Sequence, residues 1–239
     1  MKRYMGVINI VVYFVMQLGL GIFLMAFYMA AKSDFSDDAI NNFVGHINFI
    51  GILSIVTLVV ILLINFKVIA KKIAFGVENL GETFSYGFGG YGILLIVIII
   101  LSMIGQAFGV GGVDPENEVA VQNIIDNSPF LMSLLFIGIL VPILEEIVFR
   151  TSFLAIFNRD EPSKKWYPYI LCALIFTFIH DISVITNFSV ESLFNFFSYF
   201  LPALILALVY RFSNHNLLAV ILLHVLNNSI PLILLGIIS

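Results

Sequence analysis

The chain has 239 residues, 61% of them apolar and only 11% charged, against about 45–50% apolar and about 25% charged in an ordinary globular domain. So little polarity cannot clothe an aqueous surface, and a mean hydropathy of +1.08 with roughly 20 apolar residues per helical span leaves room for about seven spans. A net charge of -4 argues against nucleic acid as a partner, because phosphate binding needs a basic surface.

Apolar runs bounded by charge predict an all-α polytopic bundle in the lipid bilayer, with spans over 7–31, 47–65, 91–110, 130–149, 167–185, 193–210 and 217–238. Lys2 and Arg3 ahead of the first run imitate a signal peptide. That run exceeds the roughly 7–15 residues of a secretory apolar segment and meets Lys32 and Asp34, so it reads as a retained span. The region 66–90, rich in glycine and aromatic residues, reads as an interfacial segment or a loop. The region 111–129 mixes Val119, Val121, Ile124 and Ile125 with acids, the pattern of a short helix lying on the membrane surface.

Cytoplasmic loops are enriched in Lys and Arg. With the N-terminus inside, Lys2, Arg3, Lys67, Lys71, Lys72, Arg150, Arg159, Lys164, Lys165 and Arg211 share the cytoplasmic side and only Lys32 falls outside. Asp34, Asp37, Asp38, Asp114, Glu116, Glu118 and Asp126 collect opposite. The expectation is a multi-pass plasma-membrane protein with its N-terminus in and its C-terminus out. Trp166, Tyr167 and Tyr169 beside Lys164 and Lys165 form an interfacial anchor. Cys172 reads as a small core residue, His46 and His215 as interfacial.

Ionisable residues inside spans cost on the order of 2.5–3.5 kcal/mol each on insertion scales, so each marks a candidate site. They cluster: Glu145, Glu146 and Arg150 on the fourth span, His180 on the fifth, His224 with Asn227 and Asn228 on the seventh. At a rise of about 1.5 Å per residue, Glu145 lies about 18 Å deep if its helix continues to Phe157, His180 about 17 Å past its boundary and His224 about 10 Å. Glu146 and Arg150 stand four apart with the acid first, the favourable order for an ion pair, which leaves Glu145 free to act as a general base. Pro142 should disturb the helix ahead of them and open backbone polarity to water. His224 and Asn228 share a face and suit stabilisation of an oxyanion, while His180 is suited to hold water with Glu145. Phe176, one turn before His180, reads as packing, and Asn227 as structural.

Glu145-Glu146-x-x-x-Arg150, Phe176-x-x-x-His180 and His224-x-x-x-Asn228, in that order on three spans, resemble the CPBP or Abi family of intramembrane proteases. The stretch 210–219 also resembles that family's lead-in to its last motif. The likeness covers roughly 130–231, a catalytic core between a three-span region over 1–129 and the last residues 232–239. It implies an endopeptidase in which Glu145 and His180 activate water, His224 and Asn228 hold the oxyanion, and Glu146 with Arg150 support them. The active site would lie in the cytoplasmic half of the bilayer. Implied substrates are membrane peptides or prenylated proteins, in peptide processing, bacteriocin immunity or signalling. Zinc on Glu145, His180 and His224 is possible in principle, but no His-Glu-x-x-His helix is present, so a metal-free mechanism without cofactors is favoured. The competing readings are a non-catalytic scaffold or immunity protein and a proton-coupled transporter. The absence of an inverted repeat disfavours the transporter.

Overall fold

The computed structural model describes residues 1–33, 35–36, 47–110, 121–122, 124–126, 128–157 and 165–238. Among them no strand occurs. Eight helices carry the fold: α1 (Arg3–Lys32), α2 (Ile47–Glu78), α3 (Leu80–Phe108), α4 (Phe130–Phe157), α5 (Tyr167–His180), α6 (Ser183–Thr186), α7 (Val190–Phe212) and α8 (Leu217–Ile238). The all-α polytopic bundle is therefore present. Among the described residues six helices, α1, α2, α3, α4, α7 and α8, are long and apolar enough to cross a membrane.

Two expectations are corrected. The predicted fifth span is a helix of 14 residues, about 21 Å long and short of a hydrocarbon core of about 30 Å. It stops because Asp181 turns to an extended conformation (φ -147, ψ 115). Helix α7 restarts behind a capping box in which Ser189 and Ser192 satisfy each other's backbone N–H. The region 66–90, read as interfacial or a loop, is helical, which excludes the loop: α2 and α3 abut at Asn79 (φ -119, ψ 48). Gly76, Gly87 and Gly90 permit close approach instead of breaking the helix. A Cβ on Gly87 would stand 2.6 Å from Leu222, and one on Gly90 would collide with Leu223. That tight seat on α8 outweighs the low helix propensity of glycine. The surface helix expected over 111–129 falls largely outside the described residues, as do Asp34, Asp37, Asp38, Asp114, Glu116, Glu118, His46, Arg159 and Lys164.

One end of the bundle gathers cations and aromatic rings. Arg211 lies 4.1 Å over the Trp166 ring, Lys72 donates to the Tyr210 hydroxyl at 2.6 Å, and Phe157 meets Tyr167 edge-on at 6.0 Å. Gly6 packs against the Ser152 carbonyl near this end, whereas Gly236 packs on the Phe130 ring at the other, so the first and last helices begin and finish at opposite ends. The core runs through α4, α5, α7 and the first half of α8, where Val148, Cys172, Ala207, Val220 and Leu223 are fully buried.

Candidate active site

Helix α4 is the platform. Its turns widen to π geometry over Leu134–Leu140 and again over Ile147–Phe153, with a regular stretch, Val141–Glu146, between them. Pro142 has no N–H, so the Gly138 carbonyl loses its helical donor. Ser229 of α8 replaces it, its hydroxyl donating at 2.9 Å, and the Asn228 amide donates to the neighbouring Ile137 carbonyl at 3.4 Å. The polarity expected to admit water at Pro142 is thus filled by α8, and the α4–α8 pair is locked beside the two glutamates. Glycine at 138 makes this possible, since a Cβ there would lie 2.8 Å from the Ser229 hydroxyl.

Glu145, Glu146, His180 and His224 come together. His180 Nε2 stands 3.5 Å from one Glu145 oxygen and His224 Nε2 stands 3.7 Å from the other. The far side of each ring is committed: His180 Nδ1 lies 2.8 Å from the Phe176 carbonyl and His224 Nδ1 lies 2.8 Å from Glu146 Oε1. Both partners only accept hydrogen bonds, so each Nδ1 carries its proton. Each Nε2 is then the position at which the ring exchanges a proton, and both positions face the Glu145 carboxylate. Separations of 3.5 and 3.7 Å exceed a direct hydrogen bond, so Glu145 is held loosely where Glu146 is held tightly.

Glu146 also receives Arg150 Nε at 2.9 Å, and both side chains are fully buried. The same guanidinium donates to Cys172 Sγ on α5 at 3.0 Å and to the Ala203 carbonyl on α7 at 3.5 Å. One acid and one base therefore tie α4 to α5, α7 and α8. Cys172 is the small buried residue expected, and it is in addition an acceptor for Arg150. Phe176 packs as expected, 4.2 Å from the His180 ring and 5.1 Å from Phe149. The second flank of His180 is Tyr199 of α7 at 5.8 Å.

Asn228 shares its helix with His224 but faces the Ile137 carbonyl, and Asn227 donates to Asn228 at 3.2 Å. Sequence reading passes over Ser229 and Tyr199, and it also passes over a separate buried network. In that network the Asn65 amide donates to Asn9 at 2.6 Å and the Asn9 amide to Ser152 at 2.8 Å. The available signal was the polarity of Asn9 and Asn65 inside apolar runs; their pairing across 56 positions left no local pattern. His215, outside the membrane-spanning helices, stacks on Tyr210 at 4.8 Å with its Nε2 2.7 Å from the Tyr169 hydroxyl. Burial, reinforced by Lys72 and Arg211, pushes its imidazole down to about 4.

Zinc would need three donors converging at about 2.0–2.2 Å on one point. Among the described residues no three His, Cys, Asp or Glu side chains are arranged in that way; the two imidazoles address opposite oxygens of Glu145. As placed, these donors do not converge on one point.

Fold and site define a polytopic helical membrane protein with a carboxylate and imidazole centre buried among its spans. Residues 127–230 match the family model described as Type II CAAX prenyl endopeptidase Rce1-like. The match covers less than half of the chain and is consistent with the CPBP or Abi resemblance carried by the three motifs. It points to a membrane-embedded protease. No curated protein and no solved structure matches the chain.

Proposed function

We propose that the protein is an intramembrane endopeptidase that hydrolyses a peptide bond of a membrane-associated peptide or prenylated tail, with Glu145 as the general base. The observation that carries this reading is the Glu145 carboxylate facing the Nε2 atoms of His180 and His224 at 3.5 and 3.7 Å. Glu145 takes a proton from a water held with His180 while the water oxygen attacks the scissile carbonyl. The carbonyl becomes an oxyanion, which the Nε2–H of His224 stabilises, the ring entering the step as an imidazolium held by Glu146 at Nδ1. Asn228 adds a second donor by exchanging the Ile137 carbonyl for the oxyanion. Collapse breaks the C–N bond, and the proton on Glu145 passes to the leaving amine. Arg150 holds Glu146 in place through its Nε bond of 2.9 Å. The reaction needs no metal, so a chelator leaves the rate of the purified protein unchanged, and loss of activity restored by zinc would reverse that assignment.

The end bearing Lys72, Trp166 and Arg211 faces the cytoplasm of the plasma membrane, and the physiological role lies in peptide processing, bacteriocin immunity or signalling. The test compares membranes carrying wild-type protein with membranes carrying Glu145→Gln at equal abundance, by mass spectrometry of short peptides and new termini. Products present only with wild type support the protease. Identical profiles with the cellular phenotype intact would replace it with the non-catalytic scaffold.

A further inference from the structure

The end of α5 carries acceptors that the catalytic reading does not use. Asp181, the residue after His180, is only 8% exposed. Its backbone N–H donates to the Thr177 carbonyl and its Oδ1 accepts from the Ser183 N–H, both at 2.8 Å. Its Oδ2 is buried and has no hydrogen-bond partner among the described residues; neither has the buried hydroxyl of Ser183. In the first turn of α7 Glu191 Oε1 is also buried and unpartnered. Among the described residues Asp181 enters no ion pair, and the cations Lys72 and Arg211 lie at the opposite end of α5, beside Tyr210 and Trp166.

Position makes this unpaired oxygen informative. Fourteen helical residues separate Trp166 from Asp181, which puts the carboxylate about 21 Å along the helix from the interfacial end, inside the hydrocarbon thickness. A carboxylate there is costly unless it is paired or borders a polar cavity. The non-helical backbone that starts at Asp181 is tolerated at such depth only where it is buried in protein or lines a water-filled cavity. Asp181 is also next in sequence to His180, about 3.8 Å away between Cα atoms. A peptide lying extended across Glu145 advances about 3.3 Å per residue and so passes Asp181 within a few residues of its scissile bond.

We propose that Asp181 anchors the substrate: its unpartnered oxygen, uncovered as the peptide seats beside α5, receives the Lys or Arg side chain of a peptide that carries this cation within about three residues of the cleaved bond. A cation is favoured over a neutral N–H because it compensates the buried charge as well as the missing hydrogen bond. This rests on the endopeptidase reading of the neighbouring residues and adds to it a substrate class, a membrane peptide with a basic residue flanking the scissile bond.

The experiment uses the full chain in lipid nanodiscs with Glu145→Gln, so that binding is read without turnover. The probes are dye-labelled farnesylated peptides that differ only in which single position carries Lys in place of Gln, and the readout is anisotropy. One Lys position is expected to tighten binding about tenfold over its Gln reference, with the preference shrinking to about twofold or less in Asp181→Asn and surviving in Asp181→Glu. Equal affinities across the series, or a Lys preference that persists in Asp181→Asn, would overturn the proposal. The series on the parent protein decides the first of these even if Asp181→Asn does not fold. Cleavage by protein with Glu145 intact is followed in parallel. Turnover without a Lys preference sinks the anchor and keeps the protease, and a Lys preference without turnover does the reverse.

Discussion

Two buried polar networks meet α4 within a few residues of each other and use opposite chemistry. On one side Asn65, Asn9 and Ser152 join α2, α1 and α4 by neutral hydrogen bonds of 2.6 and 2.8 Å. On the other, Glu145, Glu146, Arg150, His180 and His224 join α4, α5, α7 and α8 through charge. The neutral chain is built from groups that bond at full strength, fastening the second π-turn, in which the Ser152 hydroxyl returns to the Ile147 carbonyl at 3.2 Å. The charged cluster divides its labour. Glu146 is bound at 2.9 and 2.8 Å by two partners, while Glu145 faces two imidazoles at 3.5 and 3.7 Å. A carboxylate locked on two short bonds holds helices together; one kept beyond bonding distance retains the capacity to take a proton.

That contrast breaks first at Glu145. Glu145→Gln should lower product formation by roughly 10²–10⁴-fold with little change in thermal melting, because the lost side chain makes no short bond. A variant that retains product formation would remove Glu145 from the chemistry. Next, Glu146→Ala leaves Arg150 buried and uncompensated, and about 3–5 kcal/mol of stability should go with it. The double variant Glu146→Gln with Arg150→Met should regain much of that stability, read from the same melting curves, without regaining activity. If the double variant is as unstable as the single, the cost does not come from the stranded guanidinium. On the neutral side, Asn9→Ala should cost about 0.6–1.7 kcal/mol, the range for interhelical hydrogen bonds in membranes, and product formed per folded molecule should stay the same. A selective fall in turnover would show that the two networks are coupled through the π-turn.

Much of the site was legible because its residues announce themselves individually. Charges in apolar runs cannot be incidental, and the spacing of Glu146 and Arg150 already indicates their pairing. What stayed hidden depends on how helices face each other. His224 and Asn228 share a face in sequence, yet His224 turns to Glu146 while Asn228 serves the carbonyl next to the one that Pro142 orphaned. Gly87 and Gly90 signal a break in isolation but are required by Leu222 and Leu223 more than 130 positions away. The fifth span ends early because Asp181 and the Ser189 cap compete with helix, a local effect that a run of apolar residues masks. In the first two cases a tertiary partner decided between two meanings of one residue.

The histidines sharpen the comparison last and least. His180 and His224 each turn Nδ1 to an acceptor and face Glu145, whereas His215 sits between two tyrosines with Lys72 and Arg211 nearby, and its imidazole is pushed from 6.5 to about 4. The unfolded chain takes this proton near the ordinary value and the folded chain only near the lower one, so below 6.5 the unfolded state binds more protons. The contribution of a neutral His215 is therefore complete above pH 6.5, declines as the pH falls from 6.5 towards 4, and is absent below. His215→Asn tests this without straining the backbone, because φ is +63 there and asparagine tolerates that region. Melting temperatures of the two proteins should run parallel above pH 6.5 and converge between 6.5 and 4 as the wild type loses its advantage. Parallel curves through that window would mean that the folded protein protonates His215 as readily as the unfolded chain does, and that the cations around it do not repel the proton.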